Sequence, residues 1–365
     1  MTATCVAFDV GPLHGPRTGI GAAVAAMHAA LCSRNDVDLH DYLVSSRAQV
    51  SKGTTRLPIP AAAAHRLWSR FDRPSMDHWL GGIDVVHGTN YVVPPTRRPR
   101  LVSVYDCWFL RNPTAATPGV HRAGEVLRRS IASGAIIHAC SQSTAAAVRE
   151  FFPRVEIVTV ALGPLNVPAA AAVVPLADVA GRPFILSIGT LERRKNVPTL
   201  VRAFGAVTAA HPEVALVIAG GNGDDCDEID SAIDALGPVA AARVFLTGRV
   251  DEPTRGWLLR NASVLAYPSL DEGFGFPLLD AMQVGLPIVA SDAGSIPELT
   301  AESALLSSPH DSEALAANLL AVLTDSQLAG RLTAAGATRW PTYSWTHCAD
   351  DLVKTYDHLA ERGRR

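Results

Sequence analysis

The sequence holds little that would tie it to a membrane, a nucleic acid or a disulfide scaffold. Only six cysteines occur in 365 residues: Cys5, Cys32, Cys107, Cys140, Cys226 and Cys348. No two form a C-x-x-C pair and no spacing matches a zinc pattern, so they read as reduced thiols of a cytosolic protein. No apolar stretch reaches roughly 18 residues, which argues against a membrane span. Met1–Val10 has no basic region followed by a long apolar run, so no signal peptide is expected. The net charge is only −3, which argues against nucleic-acid binding as the main function. Low-complexity segments and short-period repeats are also missing. No G-x-G-x-x-G with an acid about 20 residues on follows the first strand-like run, so an NAD dehydrogenase is poorly supported.

What is present fits a globular enzyme. Apolar residues make up 48% and charged residues 18%, too apolar for disorder. The length suggests two domains, each able to bury its own core. An Ala/Arg-rich composition points to a bacterial source.

Short apolar runs alternate with helical patterns. Strands are expected at Cys5–Val10, Asp84–His87, Leu101–Tyr105 and Ala135–Ala139, with a helix over Ile20–Cys32. The second half repeats the pattern at Phe184–Ile188, Val214–Ala219, Val244–Thr247, Val264–Tyr267 and Ile288–Ala290. Its first helix runs from about Val197 to Ala209. These runs lack strict alternation, as strands buried on both faces should. The expected class is α/β with doubly wound parallel sheets. The charge-poor, proline-rich stretch Gly163–Pro183 reads as the interdomain connection. The expected divisions are an N-terminal domain over 1–170, a C-terminal one over 171–343, and a helix over 344–365 with apolar spacing at Leu352, Val353, Tyr356 and Leu359. Ligands of such sheets bind beyond the carboxyl ends of the strands.

Most functional signal lies in Tyr267–Glu298. A strand ends near Tyr267, and a helix is expected from about Phe276, with Pro277 in its first turn and Gly285 as its left-handed cap. Unpaired amides and the dipole at a helix start favour an anion. Gly273 and Gly275 let a ligand approach the backbone, and a diphosphate fits there. Glu272 and Asp280, eight residues apart, add carboxylates that accept sugar hydroxyls. Together they suggest a sugar nucleotide.

This segment resembles the signature of glycosyltransferase family 4, a retaining group with the GT-B fold. The acid–seven residues–acid spacing, the Gly-Phe-Gly with Pro, Ala-Met, Gly-x-Pro, Val-Ala-Ser and Pro-Glu are all present. The second acid, usually Glu, is Asp280. The resemblance implies two Rossmann-like domains facing across a cleft, the acceptor docking on the first, and a C-terminal helix returning to it. It implies Glu272 at the donor sugar and Asp280 at the ribose, with Phe274 and Phe276 in the same donor loop.

The loop Ile188-Gly-Thr-Leu-Glu-Arg-Arg-Lys-Asn-Val-Pro supplies cations that neutralise a leaving diphosphate. It is similar to the Gly-x-Leu-x-x-x-Lys-Asn element of a mannosyltransferase-like subgroup. By that resemblance Lys195 grips the diphosphate, Gly189 starts the loop, and Arg194 substitutes for the cation absent at Thr190. Gly220 follows a strand as the family's strand-end glycines do, and Arg249 and Val250 match the element that meets the base.

In the first half, Gly19 and Gly21 of Thr18-Gly-Ile-Gly match the loop beside donor and acceptor. Ser103-Val-Tyr-Asp-Cys-Trp-Phe-Leu-Arg-Asn-Pro matches Val-His-Asp-x-x-Phe-x-x-x-Pro, with Tyr105 in place of the family histidine and Asp106 kept as a site candidate. His87 ends another strand. Tyr343-Ser344-Trp345 resembles the family's closing Phe-Ser-Trp. Asp225-Cys226-Asp227 looks like a metal-binding Asp-x-Asp, but a helix start explains its acids; no essential metal or other cofactor is expected.

The expected reaction moves a hexose, mannose from GDP-mannose, onto a glycan or lipid-linked acceptor. A UDP-sugar donor, a sugar-nucleotide epimerase and an inactive nucleotide-binding paralogue are the alternatives. The expected location is cytoplasmic, with a possible peripheral membrane contact through Arg66–Arg73, where Trp68 and Phe71 interleave with basic residues.

Overall fold

The computed structural model describes residues 3–14, 19–45, 48, 50, 52–169 and 176–364. Thr18 and the 170–175 part of the connection lie outside them. The chain divides into two units, one of Met1–Gly163 with Tyr343–Arg365 and one of Pro164–Thr342. The division falls at Gly163/Pro164 because the next few residues are bound by the second unit. Gln283 Nε2 donates to Leu165 O at 2.8 Å and Arg255 Nη2 to Asn166 O at 3.1 Å.

The first unit contains β1 (Thr4–Asp9), β2 (Val37–Leu43), β3 (Thr55–Arg56), β4 (Val85–Gly88), β5 (Arg100–Val104), β6 (Ile136–Ala139) and β7 (Ile157–Thr159). They form a seven-stranded sheet in the order β3-β2-β1-β4-β5-β6-β7, and every pairing is parallel. β4, β5 and β6 are buried at every residue, so they appear in the sequence as mostly apolar runs without alternation, into which Arg100 and the hydrogen-bonded His87, Ser103 and His138 are set. β2 reads Val-Asp-Leu-His-Asp-Tyr-Leu and is half exposed. It and the short β3 and β7 carry no such run, and the sequence did not disclose them. The helix Trp345–Arg364 belongs to this unit. It packs on β1 and on the helix Gly19–Cys32, with Leu352, Val353, Tyr356 and Leu359 buried. Gly163 admits it closely, since a Cβ there would lie 2.5 Å from the Trp345 amide nitrogen.

The same helix closes a buried polar relay. Tyr356 OH donates to His87 Nδ1 at 2.7 Å, His87 Nε2 to Ser103 Oγ at 2.8 Å, Ser103 Oγ to His138 Nδ1 at 2.8 Å, and His138 Nε2 to Val160 O at 3.0 Å. The terminal carbonyl only accepts, which fixes the direction of every bond and both tautomers. His87 is thus a packed, hydrogen-bonded histidine.

The second unit holds β8 (Phe184–Ile188), β9 (Ala215–Ala219), β10 (Val244–Gly248), β11 (Val264–Tyr267), β12 (Ile288–Ser291) and β13 (Ala304–Ser307). Their order is β10-β9-β8-β11-β12-β13, again all parallel. Strand order reverses direction between β8 and β11, so the loops after these two strands flank the switch point where such sheets bind ligands. Helix Phe276–Val284 follows β11 and stops at Gly285, whose φ of 69° is left-handed as its sequence context requires.

Candidate active site

The loop after β8 and the loop after β11 are locked together before any side chain acts. Leu270 N donates to Arg194 O at 2.8 Å. Asn196, left-handed at φ 54°, donates from Nδ2 to Pro268 O at 3.0 Å and to Pro309 O at 2.7 Å. Asparagine suits this place because it tolerates the left-handed region and its amide reaches both carbonyls.

This lock brings Arg194, Lys195 and Glu272 into one cluster. Arg194 Nη1 lies 2.7 Å from Glu272 Oε2, and Lys195 Nζ 2.5 Å from Oε1. Ser269 Oγ donates to the same Oε1 at 2.9 Å, and Lys195 Nζ also donates to Tyr267 OH at 2.8 Å. Arg194 Nη1 reaches Asp271 O at 3.1 Å as well. Burial works to raise the Glu272 carboxyl, but Arg194 and Lys195 prevail and hold it down to about 2. Desolvation lowers the Lys195 ammonium, with Glu272 opposing. The cluster is an ionised, water-poor triad of net charge +1. Among the described residues two of the three Lys195 N–H groups are engaged.

Helix Phe276–Val284 begins beside this triad. Its cap is Gly275 at φ 98°, and no side chain caps its first amides. Phe274 is buried and stacks edge-on to Phe276 at 5.2 Å. The loop after β12 closes from the other side, with Ser295 N donating to Glu272 O at 2.9 Å and Ser295 Oγ to Phe274 O at 2.9 Å. That closure needs Gly294, at φ 57°, where a Cβ would lie 2.4 Å from Glu272 N.

Tyr267, Ser269, Gly294 and Ser295 therefore shape the site without having been singled out in the sequence. Ser269 and Tyr267 lie inside the signature segment, three and five residues before Glu272, and could have been suspected. Gly294 and Ser295 lie farther along the same segment, in the loop after β12, between the Val-Ala-Ser and Pro-Glu elements, and carried no signal of their own.

The remaining candidates fall into separate groups. Gly189 sits beside Lys195, where a Cβ would meet Cε at 3.2 Å. At Gly220 a Cβ would lie 1.7 Å from Gly189 O. Close approach of two backbone segments thus explains this glycine without a ligand. Arg249 is exposed and Val250 half-buried, with the Arg249 Cβ 4.0 Å from where a Gly221 Cβ would be. Asp280 is not beside Glu272's cations; it pairs with Arg255, Nη1 to Oδ2 at 2.5 Å. Asp225 is buried ahead of the helix Cys226–Asp234, whose first turn carries Asp227 and Glu228.

Gly19, Gly21 and Asp106 belong to the first unit. Gly19 opens the helix Gly19–Cys32 and Gly21 is buried in it. Asp106 follows β5, and its Oδ1 accepts from Trp108 N at 3.1 Å at the start of helix Trp108–Arg111. Tyr105 turns inward and donates to Thr89 O at 2.9 Å, and burial raises its hydroxyl pKa. It is a packing residue and does not reproduce an exposed imidazole. In the Arg66–Arg73 stretch, Trp68 is fully buried, whereas Phe71 is 57% exposed. The expectation of Trp68 at a surface is corrected: it fills the core between the sheet and the helix Pro118–Ala132.

Two parallel sheets of Rossmann order, with a cation-and-carboxylate cluster at the second sheet's switch point, have the architecture of the GT-B fold. Residues 175–339 match the family described as Glycosyl transferases group 1. The chain is 26% identical over 285 residues to O-antigen chain mannosyltransferase B of Escherichia coli, covering 75% of this chain and 74% of that one. It is 30% identical over 175 residues to phosphatidyl-myo-inositol mannosyltransferase of Mycolicibacterium smegmatis, covering 47% of this chain and 44% of that one. Among solved structures, sucrose-phosphate synthase of Thermosynechococcus elongatus shares the fold at a TM-score of 0.75 and 19% identity, covering 98% of this chain and all of that one. No helix among the described residues is long and apolar enough to cross a membrane.

Proposed function

We propose that the protein is a retaining mannosyltransferase that uses GDP-mannose and needs no metal. The observation that carries the reading is the Arg194–Glu272–Lys195 triad beside an uncapped helix start. A nucleotide diphosphate would bring its negative charge to Lys195, to Arg194 and to the amides near Gly275. Glu272, held ionised, would accept a sugar hydroxyl and fix the ring.

In the reaction the C1–O bond to the diphosphate breaks and a bond from C1 to the acceptor oxygen forms on the same face. The acceptor proton passes to the departing phosphate oxygen. Lys195, Arg194 and the helix-start amides would stabilise the charge that develops there. The mannose donor is favoured by the Gly-Thr-Leu-Glu-Arg-Arg-Lys-Asn loop and by two curated relatives that are mannosyltransferases. The acceptor class proposed is a glycan or lipid-linked glycan.

Thermal shift and calorimetry with GDP-mannose, UDP-glucose, GDP and UDP test the donor, with and without EDTA. GDP ligands should stabilise the protein and EDTA should change nothing. Stabilisation by UDP ligands alone would move the reading to a UDP-sugar transferase, and silence toward all four would remove it.

A lipid-linked acceptor would place the enzyme at a membrane. The helix Ala61–Phe71 carries Arg66 and Arg70 and no acid, with Leu67 37% and Phe71 57% exposed. Such a face suits an anionic lipid surface.

A further inference from the structure

We propose that Arg255 is a positioning residue for the nucleotide ribose, holding Asp280 so that its Oδ1 receives the vicinal hydroxyls. This rests on the nucleotide-sugar reading above. Asp280 lies in the second turn of helix Phe276–Val284 and is 4% exposed. Its Oδ2 takes Arg255 Nη1 at 2.5 Å, whereas Oδ1 is buried and has no hydrogen-bond partner among the described residues. A carboxylate oxygen stripped of water and left unmatched is costly, and native structures keep few of them.

An ion pair that served packing alone would be expected to satisfy both oxygens through the guanidinium fork. Arg255 does not do this. Its Nε donates to Glu252 Oε2 at 3.0 Å, and its Nη2 to the same oxygen at 2.9 Å and to Asn166 O at 3.1 Å. The segment that offers Asn166 O is itself held. A Cβ at Gly256 would lie 2.6 Å from Pro168 O, and Arg260 Nη2 reaches Pro168 O at 3.3 Å. The guanidinium is thus fixed by two groups, Glu252 and Asn166, and grips Asp280 end-on through one N–H. One oxygen is spent and the other is presented as an acceptor.

A carboxylate oxygen with two lone pairs and no donor nearby suits a neutral pair of hydroxyls and repels an anion. A ribose 2′,3′-diol has that chemistry; a phosphate does not. Charge supports the same division of labour. Burial pushes the Asp280 carboxyl up to about 7; Arg255 opposes this and Glu252 adds to it. That balance already includes Arg255; without it the carboxyl would rise further, stay protonated through neutral pH and lose acceptor capacity. Aspartate is one methylene shorter than the glutamate expected at this position, so its placement leaves less room for error. Arg255 lies outside the signature segment, and nothing in the sequence distinguished it from a solvated helix arginine.

Calorimetry of UDP and GDP and their 2′-deoxy counterparts, against the parent, Arg255→Gln, Arg255→Lys and Asp280→Asn, tests this. The parent should bind its preferred ribonucleotide about tenfold or more tightly than the deoxy form, the scale of one hydrogen bond to a charged acceptor. Arg255→Gln should weaken the ribonucleotide by a similar factor, abolish the ribo/deoxy preference and leave the deoxy form nearly unaffected. The parent's ribonucleotide affinity should fall from pH 8 to pH 6 as Asp280 takes up its proton, whereas that of Arg255→Gln should be low and nearly flat over the same range, and Arg255→Lys should recover part of the loss. An unchanged ribo/deoxy ratio in Arg255→Gln overturns the proposal. So does a parent without that preference, an outcome that needs no variant to fold. A parent that binds none of the nucleotides removes the underlying nucleotide-sugar reading instead.

Discussion

Glu272 is a buried carboxylate between two partly buried cations, so its removal acts on stability and on chemistry by separate routes. Glu272→Gln leaves Lys195 without its carboxylate and Arg194 with only Glu192 at 3.6 Å, a change that costs up to about 3–5 kcal/mol, the scale of a broken buried pair. A bound diphosphate would restore negative charge to those cations. The variant should therefore melt lower than the parent yet gain more from the nucleoside diphosphate, and its turnover should fall about 100-fold or more. Calorimetric melts with and without GDP check the first point and product assays the second; equal nucleotide gains in the two proteins would count against the triad as the diphosphate site. Gly294→Ala tests the closure over the same residue. Its added Cβ meets Glu272 N at 2.4 Å and Glu272 O at 2.5 Å, in a left-handed backbone. We expect a loss of about 1–3 kcal/mol in urea unfolding together with lost turnover, because the strain falls on the Glu272 backbone itself.

At the scale of elements, the buried relay from Tyr356 through His87 and Ser103 to His138 ties the last helix to β4, β5 and β6. Every bond in it requires neutral histidines, since a proton added to either ring would set two donors against each other. Burial pushes His87 well down and His138 down to about 4 from 6.5. A histidine kept neutral in the fold but protonated when unfolded contributes its stability above 6.5. That contribution is lost as pH falls toward the folded value. For His138 the loss between pH 7 and pH 4 is about 3 kcal/mol. Urea midpoints of the parent and of His138→Gln at pH 7.5, 6 and 4.5 check this. The difference between the two should shrink as pH falls, and a constant difference would contradict the neutral relay.

Elements also differed in how far the sequence disclosed them. Phe184–Ile188 and Val264–Tyr267 were legible to the residue, because strands buried on both faces are mostly apolar. β2 was hidden, because its half-exposed residues break that run with Asp38, His40 and Asp41. The Lys195 loop and the Glu272 segment were legible as separate motifs. Their union through Asn196 and Leu270 was not, since it joins residues some 70 positions apart.

At the scale of the whole molecule, a net charge of −3 gives no general attraction to an anionic surface, so any membrane contact must come from a local face. The helix Ala61–Phe71 is that face in our reading. Sedimentation with vesicles containing phosphatidylglycerol should carry the protein down at low salt and release it as salt rises, each arginine contributing about 1 kcal/mol. The double variant Arg70→Ser with Phe71→Ser should stay in the supernatant without losing stability, because both side chains are exposed. Equal sedimentation of parent and variant would remove this face from the proposal.

By itself the sequence determined the α/β class, the buried strands and the chemistry of the Glu272 and Lys195 loops, because runs of apolar residues and glycine-rich helix starts act locally. Tertiary structure alone decided that Tyr105 and Trp68 turn inward, that Gly220 serves a backbone contact, and that Asp280 answers to Arg255. Those outcomes depend on which distant group fills the space beside each residue, and no local pattern carries that information.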